Sequence, residues 1–255
     1  MKYGEQMNSL RRDRILKYIE DNAAATLKQL HALFPGVSTM TIHRDLAYLA
    51  KKGAILRIRG GAQAASNAVE PVFEAREQEN SVFKDAMAKK ALALIKPGSS
   101  VFLDAGTSCL AIAKRMPDID ISIFTIGPNI AIELMRLRNP SINICGGNLN
   151  RANLALSGQN TLDMISEINI DTAFIGTGGY THENGFTGGK ESEARTKSLV
   201  VKKARTVVAL MDSSKISKVL PFSFARLTDF DFVINDGRLP ADFIAEAQRL
   251  NVSII

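Results

Sequence analysis

The chain of 255 residues has no tryptophan, two cysteines and three histidines. Cys109 and Cys145 are too few and too scattered for a disulfide framework or a zinc site, and each reads as a small core residue. His31, His43 and His182 form no ligand cluster, so neither a metal nor a cofactor is expected. No apolar run approaches the roughly 18 residues needed to span a membrane. The opening stretch MKYGEQMNSLRRDR lacks the apolar centre of a secretion signal. The expectation is a cytoplasmic protein with no membrane partner. Three phosphate and nucleophile motifs are missing as well: the Walker loop, the three-glycine dinucleotide fingerprint with its ribose-binding acid, and the Gly-x-Ser-x-Gly elbow.

What is present is ordinary in bulk and uneven in layout. Apolar residues make up 45% and charged residues 23%, as in a globular protein of one large domain or two ordinary ones. The net charge of +6 is confined to the first quarter: residues 1–62 hold 11 Lys/Arg against 5 Asp/Glu, and the remainder holds 21 of each sign. A basic head on a neutral body suggests a nucleic-acid-binding module.

The head has three helical segments. Leu10, Ile15, Leu16 and Ile19 stripe the first, over 8–22. Thr26 is placed to cap the second, whose apolar face is Leu27, Leu30, Leu33 and Phe34. Pro35 and Gly36 end it, and Ser38 can cap the third, over 39–53, with Ile42, Leu46 and Leu49 inward. A short helix, a tight turn and a polar-fronted helix is helix-turn-helix organisation. The stretch AILRIRGGA (54–62) reads as a β-hairpin wing. Ser38, Thr39, Thr41, His43 and Arg44 occupy the turns that meet base edges. Arg44 either grips guanine in a bidentate way or clamps a phosphate, and Asp45 either orients Arg44 or serves the helix dipole. Arg57 and Arg59 read as phosphate-positioning.

Residues 63–81 read as a linker and hinge, and 82–95 as an amphipathic helix. From residue 99, short β-rich runs at 99–104, 121–126, 141–146, 171–176, 206–211, 231–236 and 252–255 alternate with helical segments. That alternation predicts an α/β domain with a largely parallel sheet, Rossmann-like and larger than the head. The layout is therefore residues 1–62 as winged helix-turn-helix, 63–81 as hinge and 82–255 as the α/β body, which the family resemblance given below makes a sensor. Small polar turns follow five strands: DAGTS, IGPN, CGGNLNR, GTGGYTHENGFTGG and DSSK. Ligands of such sheets sit outside the strand C-termini, so one cleft lined by these turns is expected. Its candidate residues are Asp104, Gly106, Thr107, Ser108, Asn129, Gly147, Gly178, Gly179, Asp212 and Lys215, joined by Glu193 and Lys197 on the following helix. Asp104 either accepts ligand hydroxyls or orders its own turn. Glu193 and Lys197, four apart, form either a surface ion pair or part of the cleft.

The head motif STMTIHRDLAYLAKKGAILRIRGGA resembles that of the DeoR family of bacterial regulators. The family core Thr-Ile-Arg-Arg-Asp-Leu stands here as Thr41-Ile42-His43-Arg44-Asp45-Leu46, and its His-Gly-Gly-Ala wing end as Arg59-Gly60-Gly61-Ala62. The body turns match the family's sensor domain in order, with Gly127-Pro128-Asn129 and Gly188-Gly189-Lys190 departing from its pattern. The resemblance implies a sequence-specific transcriptional regulator, in sign a repressor of sugar catabolism genes. It would bind a double-stranded operator as a homo-oligomer (dimer or tetramer) and respond to a phosphorylated sugar held by Gly106, Thr107 and Ser108.

That sensor resembles ribose-5-phosphate isomerase, so a sugar-phosphate isomerase with a DNA-binding head is the alternative. The isomerase carries Asp-Gly-Ala-Asp where this chain has Gly176-Thr177-Gly178-Gly179, and a catalytic Glu where Lys197 stands. With no carboxylate base in place, binding without turnover is expected and no residue is assigned a catalytic role.

Overall fold

The structure is a computed structural model and describes residues 2–22, 24–51, 54–64 and 73–255. The head runs α1 (Lys2–Asp21), β1 (Ala24–Thr26), α2 (Leu27–Leu33), α3 (Thr39–Lys51), β2 (Ile55–Ile58) and β3 (Gly61–Ala64). Ile15 and Ile19, one turn apart on α1, bury against Leu30 of α2, Ile42, Leu46 and Leu49 of α3, and Ile55 of β2. Leu10 lies outside this core at 58% exposure, so the inward stripe of α1 starts later than its spacing suggests. Thr26 caps α2 as expected. Its hydroxyl accepts from the Gln29 N–H at 3.2 Å, and Gln29 Oε1 accepts from the Thr26 N–H at 2.8 Å. The wing is a three-stranded antiparallel sheet, ordered β1-β3-β2, because Ala24–Thr26 adds a strand to the 55–64 hairpin. A three-residue run of small side chains carries too little period to announce that strand.

Part of the predicted hinge, 65–72, lies outside the described residues. On one side of it Gln63 belongs to β3; on the other, Phe73–Gln78 forms helix α4, and α5 (Ser81–Leu92) follows. Phe73 is buried against the body, so this stretch is packed rather than loose.

The body alternates strands and helices: β4 (Ser100–Leu103), α6 (Thr107–Arg115), β5 (Ser122–Thr125), α7 (Pro128–Leu134), β6 (Ser141–Ile144), β7 (Asn148–Asn150), β8 (Ala155–Ser157), α8 (Gln159–Glu167) and β9 (Thr172–Gly176). There follow β10 (Gly179–Thr181), β11 (Gly185–Gly188), α9 (Glu191–Lys203), β12 (Thr206–Leu210), β13 (Phe222–Ala225), β14 (Phe232–Ile234), α10 (Ala241–Arg249) and β15 (Ser253–Ile254). Seven strands form one parallel sheet in the order β15-β14-β12-β9-β4-β5-β6. Apolar cores cover both faces: one holds Phe102, Ile175 and Phe186, the other Val101, Leu103 and Phe174. Burial on both faces explains why these strands read as near-continuous apolar runs. Cys109 and Cys145 are fully buried, and burial pushes both thiols above the usual cysteine range, Cys145 to about 11.

The strand order fixes where a ligand can sit. From β4 the chain works outward to β6, then returns to β9 on the other side of β4 and works outward to β15. The order reverses between β4 and β9, and the crevice at such a switch point is where open α/β sheets hold ligands. The β10-β11-β13 sheet and the β7-β8 hairpin lie outside the main sheet.

Candidate functional site

Two surfaces carry chemistry. The first is α3. Its inward face is Ile42, Leu46 and Leu49, which leaves Met40, Arg44, Ala47 and Tyr48 exposed on the opposite side, with Thr41 and His43 half-buried at its edge. Ser38 and Thr39 are exposed at the helix start. Ser38 Oγ accepts from the Thr41 N–H at 3.2 Å and lies 3.0 Å from Thr41 Oγ1, so these two side chains first serve the helix cap. Arg44 projects from the exposed face with no partner among the described residues. Met40, exposed at 61%, is a further member of this face not singled out from the sequence. Arg57 and Arg59 are exposed on the wing.

Asp45 does neither of the two things expected of it. It is buried at 1% exposure and accepts from Arg11 Nε at 2.6 Å and Arg12 Nε at 2.8 Å. It faces back toward α1 because position 45 lies on the same side of α3 as Ile42 and Leu46. The Arg12 guanidinium also stacks 3.9 Å from the Tyr48 ring centroid. Asp45 thus anchors α3 to α1 and leaves Arg44 unconstrained.

The second surface is the crevice at the switch point. It is lined by Asp104, Gly106, Thr107, Ser108, Glu193, Lys197, Asp212 and Lys215, all anticipated, and by Arg76, Lys84, Asn153 and Thr177, which were not. Asp104, at the end of β4, is 2% exposed; its Oδ2 accepts from the Gly176 N–H and from Lys197 Nζ, each at 3.0 Å. Lys197 also donates to the Gly176 carbonyl at 2.7 Å. The carboxylate therefore ties the ends of β4 and β9 to α9. Glu193 and Lys197 are not a surface ion pair: Glu193 is buried and accepts from Asn150 at 2.7 Å and from Asn153 at 2.9 Å.

Helix α6 begins at this crevice. Its N-cap is Gly106, which offers no side chain, so the first N–H groups have no side-chain cap. Uncapped donors at the start of a nine-residue helix favour an anion. Opposite them a cluster of cations gathers. Lys84 interacts electrostatically with Asp212, Lys215, Glu79 and Arg76, and Lys218 with Lys215, Glu79 and Asp212. Arg76, Lys84 and Lys215 line the crevice, with Asp212 among them. Burial pushes the Lys84 ammonium below the usual lysine range; Asp212 and Glu79 oppose the shift, and Lys215 and Arg76 reinforce it. Lys218 is lowered by burial and by Lys215.

Four expected lining residues sit elsewhere. Asn129 starts α7 outside the crevice, its amide buried without a hydrogen-bond partner among the described residues. Gly147 has φ +125°, and a Cβ there would lie 2.2 Å from Thr161 Oγ1, so it serves the β6–β7 turn. Gly178 and Gly179 admit the neighbouring chain: a Cβ would meet Leu220 Cδ1 at 2.1 Å or the Lys218 carbonyl at 2.4 Å. Those glycines let residues 212–220 lie flat against β10, where Ser217 N–H donates to the Tyr180 carbonyl at 2.9 Å.

The same nine residues touch the head. Gln63, on β3 and 2% exposed, accepts from the Val219 N–H at 2.8 Å and donates to the Val219 carbonyl. One end of the 212–220 segment lines the crevice through Asp212 and Lys215, and the other is held by the wing.

A basic winged helix joined to a parallel α/β body with an anion-ready crevice defines a ligand-responsive DNA-binding regulator of transcription. The DeoR-like helix-turn-helix domain matches residues 11–68, and the DeoR C terminal sensor domain matches residues 79–237. The chain belongs to the DeoR family. It is 35% identical to the HTH-type transcriptional regulator GlpR of Haloferax volcanii over 96% of both chains. It is 31% identical to the HTH-type transcriptional repressor GlcR of Bacillus subtilis, covering 89% of this chain and 87% of that one. It is 29% identical to the glycerol-3-phosphate regulon repressor of Escherichia coli, covering 90% and 91%. The relatives are transcriptional regulators, and this chain is a regulator rather than an isomerase. Among the described residues, no helix is long and apolar enough to cross a membrane.

Proposed function

We propose that the protein is a cytoplasmic repressor of sugar-utilisation genes whose operator affinity falls when a phosphorylated sugar or polyol fills the crevice. The observation that carries this reading is an uncapped helix start that shares its crevice with the cations Arg76, Lys84 and Lys215, which a phosphate dianion would engage. Its oxygens would take the first N–H groups of α6 at Gly106, Thr107 and Ser108. Asp104, Glu193, Lys197 and Asn153 would take the sugar hydroxyls. Two relatives named as repressors, one of them of a glycerol-3-phosphate regulon, support the sign and the ligand class.

On the DNA side, Ser38, Thr39, Thr41, His43 and Arg44 would address base edges and Arg57 and Arg59 the backbone, in a homo-oligomer that places two heads on paired half-sites. A ligand shifts such a regulator only by binding its two states differently. Residues 212–220 provide the means: phosphate drawing in Lys215 would move Val219 and, through Gln63, the wing. Thermal unfolding against a panel of sugar phosphates and their unphosphorylated parents tests the ligand class. Saturation at about 100 times the dissociation constant adds about 2.7 kcal/mol of stability. One phosphosugar should raise the midpoint while its parent does not. Equal shifts from parent and phosphate would sink the phosphate assignment.

A further inference from the structure

We propose that Arg57 acts on operator sequence through His43, fixing which nitrogen of that ring faces the DNA. The argument starts on β2. Side chains two apart share a strand face, so Arg57 lies on the same side as Ile55, which is buried in the head core with Ile42 and Leu46 of α3. One step beyond that core, Arg57 meets α3 at His43: its Nη2 lies 3.3 Å from His43 Nδ1. A guanidinium has donors and no acceptor, so Nδ1 is the acceptor in this contact and the ring proton sits on Nε2. His43 therefore offers the DNA a hydrogen-bond donor. Arg59, also exposed on the wing, has no partner among the described residues and is the free cation of the pair.

A donor at this place discriminates among bases. In the major groove guanine presents two acceptors, O6 and N7, and thymine presents O4, whereas cytosine presents the N4 amino donor. His43 thus selects guanine over cytosine at one operator position. The selection depends on Arg57, because a ring released from it can carry its proton on either nitrogen and accept from cytosine instead. The wing arginine becomes a positioning residue for base readout. A purely backbone role would weaken all sequences alike.

The test is selection from a random-sequence duplex library with the full-length protein and its H43A, R57M, R57K and R59M variants. Wild type should prefer guanine over cytosine at one position by about threefold to tenfold, the worth of one hydrogen bond. H43A and R57M should each flatten that same position, and the double variant should flatten it no further. R57K, which keeps a donor for Nδ1, should retain the preference. R59M should weaken binding without changing any preference. A second reading needs no DNA and no variant: nitrogen-15 spectra of the wild-type ring at pH about 8.5, above the ordinary histidine range, should show the proton on Nε2. The proposal is overturned if R57M keeps the preference that H43A removes, if H43A changes no position, or if the proton resides on Nδ1.

Discussion

The head and the body handle charge in opposite ways. In the head Arg44, Arg57 and Arg59 are exposed, and the buried acid Asp45 is neutralised within the domain by Arg11 and Arg12. In the body, charge is gathered inward around one crevice, where Asp104 and Lys197 pair and Lys84 is buried deeply enough to lose basicity. The head meets its ligand as an extended anion in solvent, so its binding is governed by counterion release and falls with salt. The body removes its ligand from water, so a few fixed donors carry specificity and salt matters less. The two regions meet at a covered contact, Gln63 on Val219, through which events in the crevice can reach the wing.

The largest expected effect separates the two regions outright. Arg44→Ala should weaken operator binding about tenfold to a hundredfold, the loss of about 1–3 kcal/mol, with the phosphosugar thermal shift unchanged. Loss of both together would show that the regions are not independent. The converse variant is Lys84→Met. It removes a buried cation that would make a charge-assisted contact of about 1.5–3 kcal/mol, so phosphosugar affinity should fall by at least about tenfold while ligand-free operator binding stays. Gln63→Ala should leave both affinities nearly intact and abolish their linkage: the factor by which phosphosugar changes operator affinity, about 5 to 150 for a coupling of 1–3 kcal/mol, should approach one. A linkage equal to wild type would remove the 212–220 segment from the mechanism.

The smallest effect is a proton. Lys84 is depressed in the free protein by burial, and a bound dianion stabilises its ammonium. Its pKa therefore rises on binding, a proton is taken up in the window between the two values, and affinity falls as pH rises through the free-state pKa. Titration calorimetry over a pH series reaching up to the ordinary lysine range, in buffers of different ionisation enthalpy, should show net uptake that disappears in Lys84→Met.

The alternation of apolar runs and helical segments was enough to place the sheet, because strands buried on both faces have few other ways to be written. The helices predicted over 39–53 and 82–95 stand as Thr39–Lys51 and Ser81–Leu92, whereas the first, predicted from residue 8, already begins at Lys2. The crevice was legible at the turns after β4 and β12, which hold Gly106, Thr107, Ser108, Asp212 and Lys215, but not at the turns after β5 and β6, whose Asn129 and Gly147 lie outside it. It was not legible where the chain reaches in from afar. Lys84 sits on a helix read only as amphipathic, and Arg76 falls in a segment read as hinge. Asn153 follows the β7 turn with no periodic signal. Gly178 and Gly179 look like ligand-approach glycines in sequence, but their closeness is to Lys218 and Leu220 of the same chain. Asp45 shows the same limit: its neighbours in sequence suggested Arg44, and its position on the helix gave it to Arg11 and Arg12.

The most direct test of the account is operator affinity of the full-length protein, on a duplex recovered by selection, with and without the phosphosugar that raises its thermal midpoint. The account predicts that affinity falls by about tenfold or more at saturation, a coupling of about 1.4 kcal/mol, with no response to the unphosphorylated parent. A protein that binds the phosphosugar and holds its operator with unchanged affinity would contradict it.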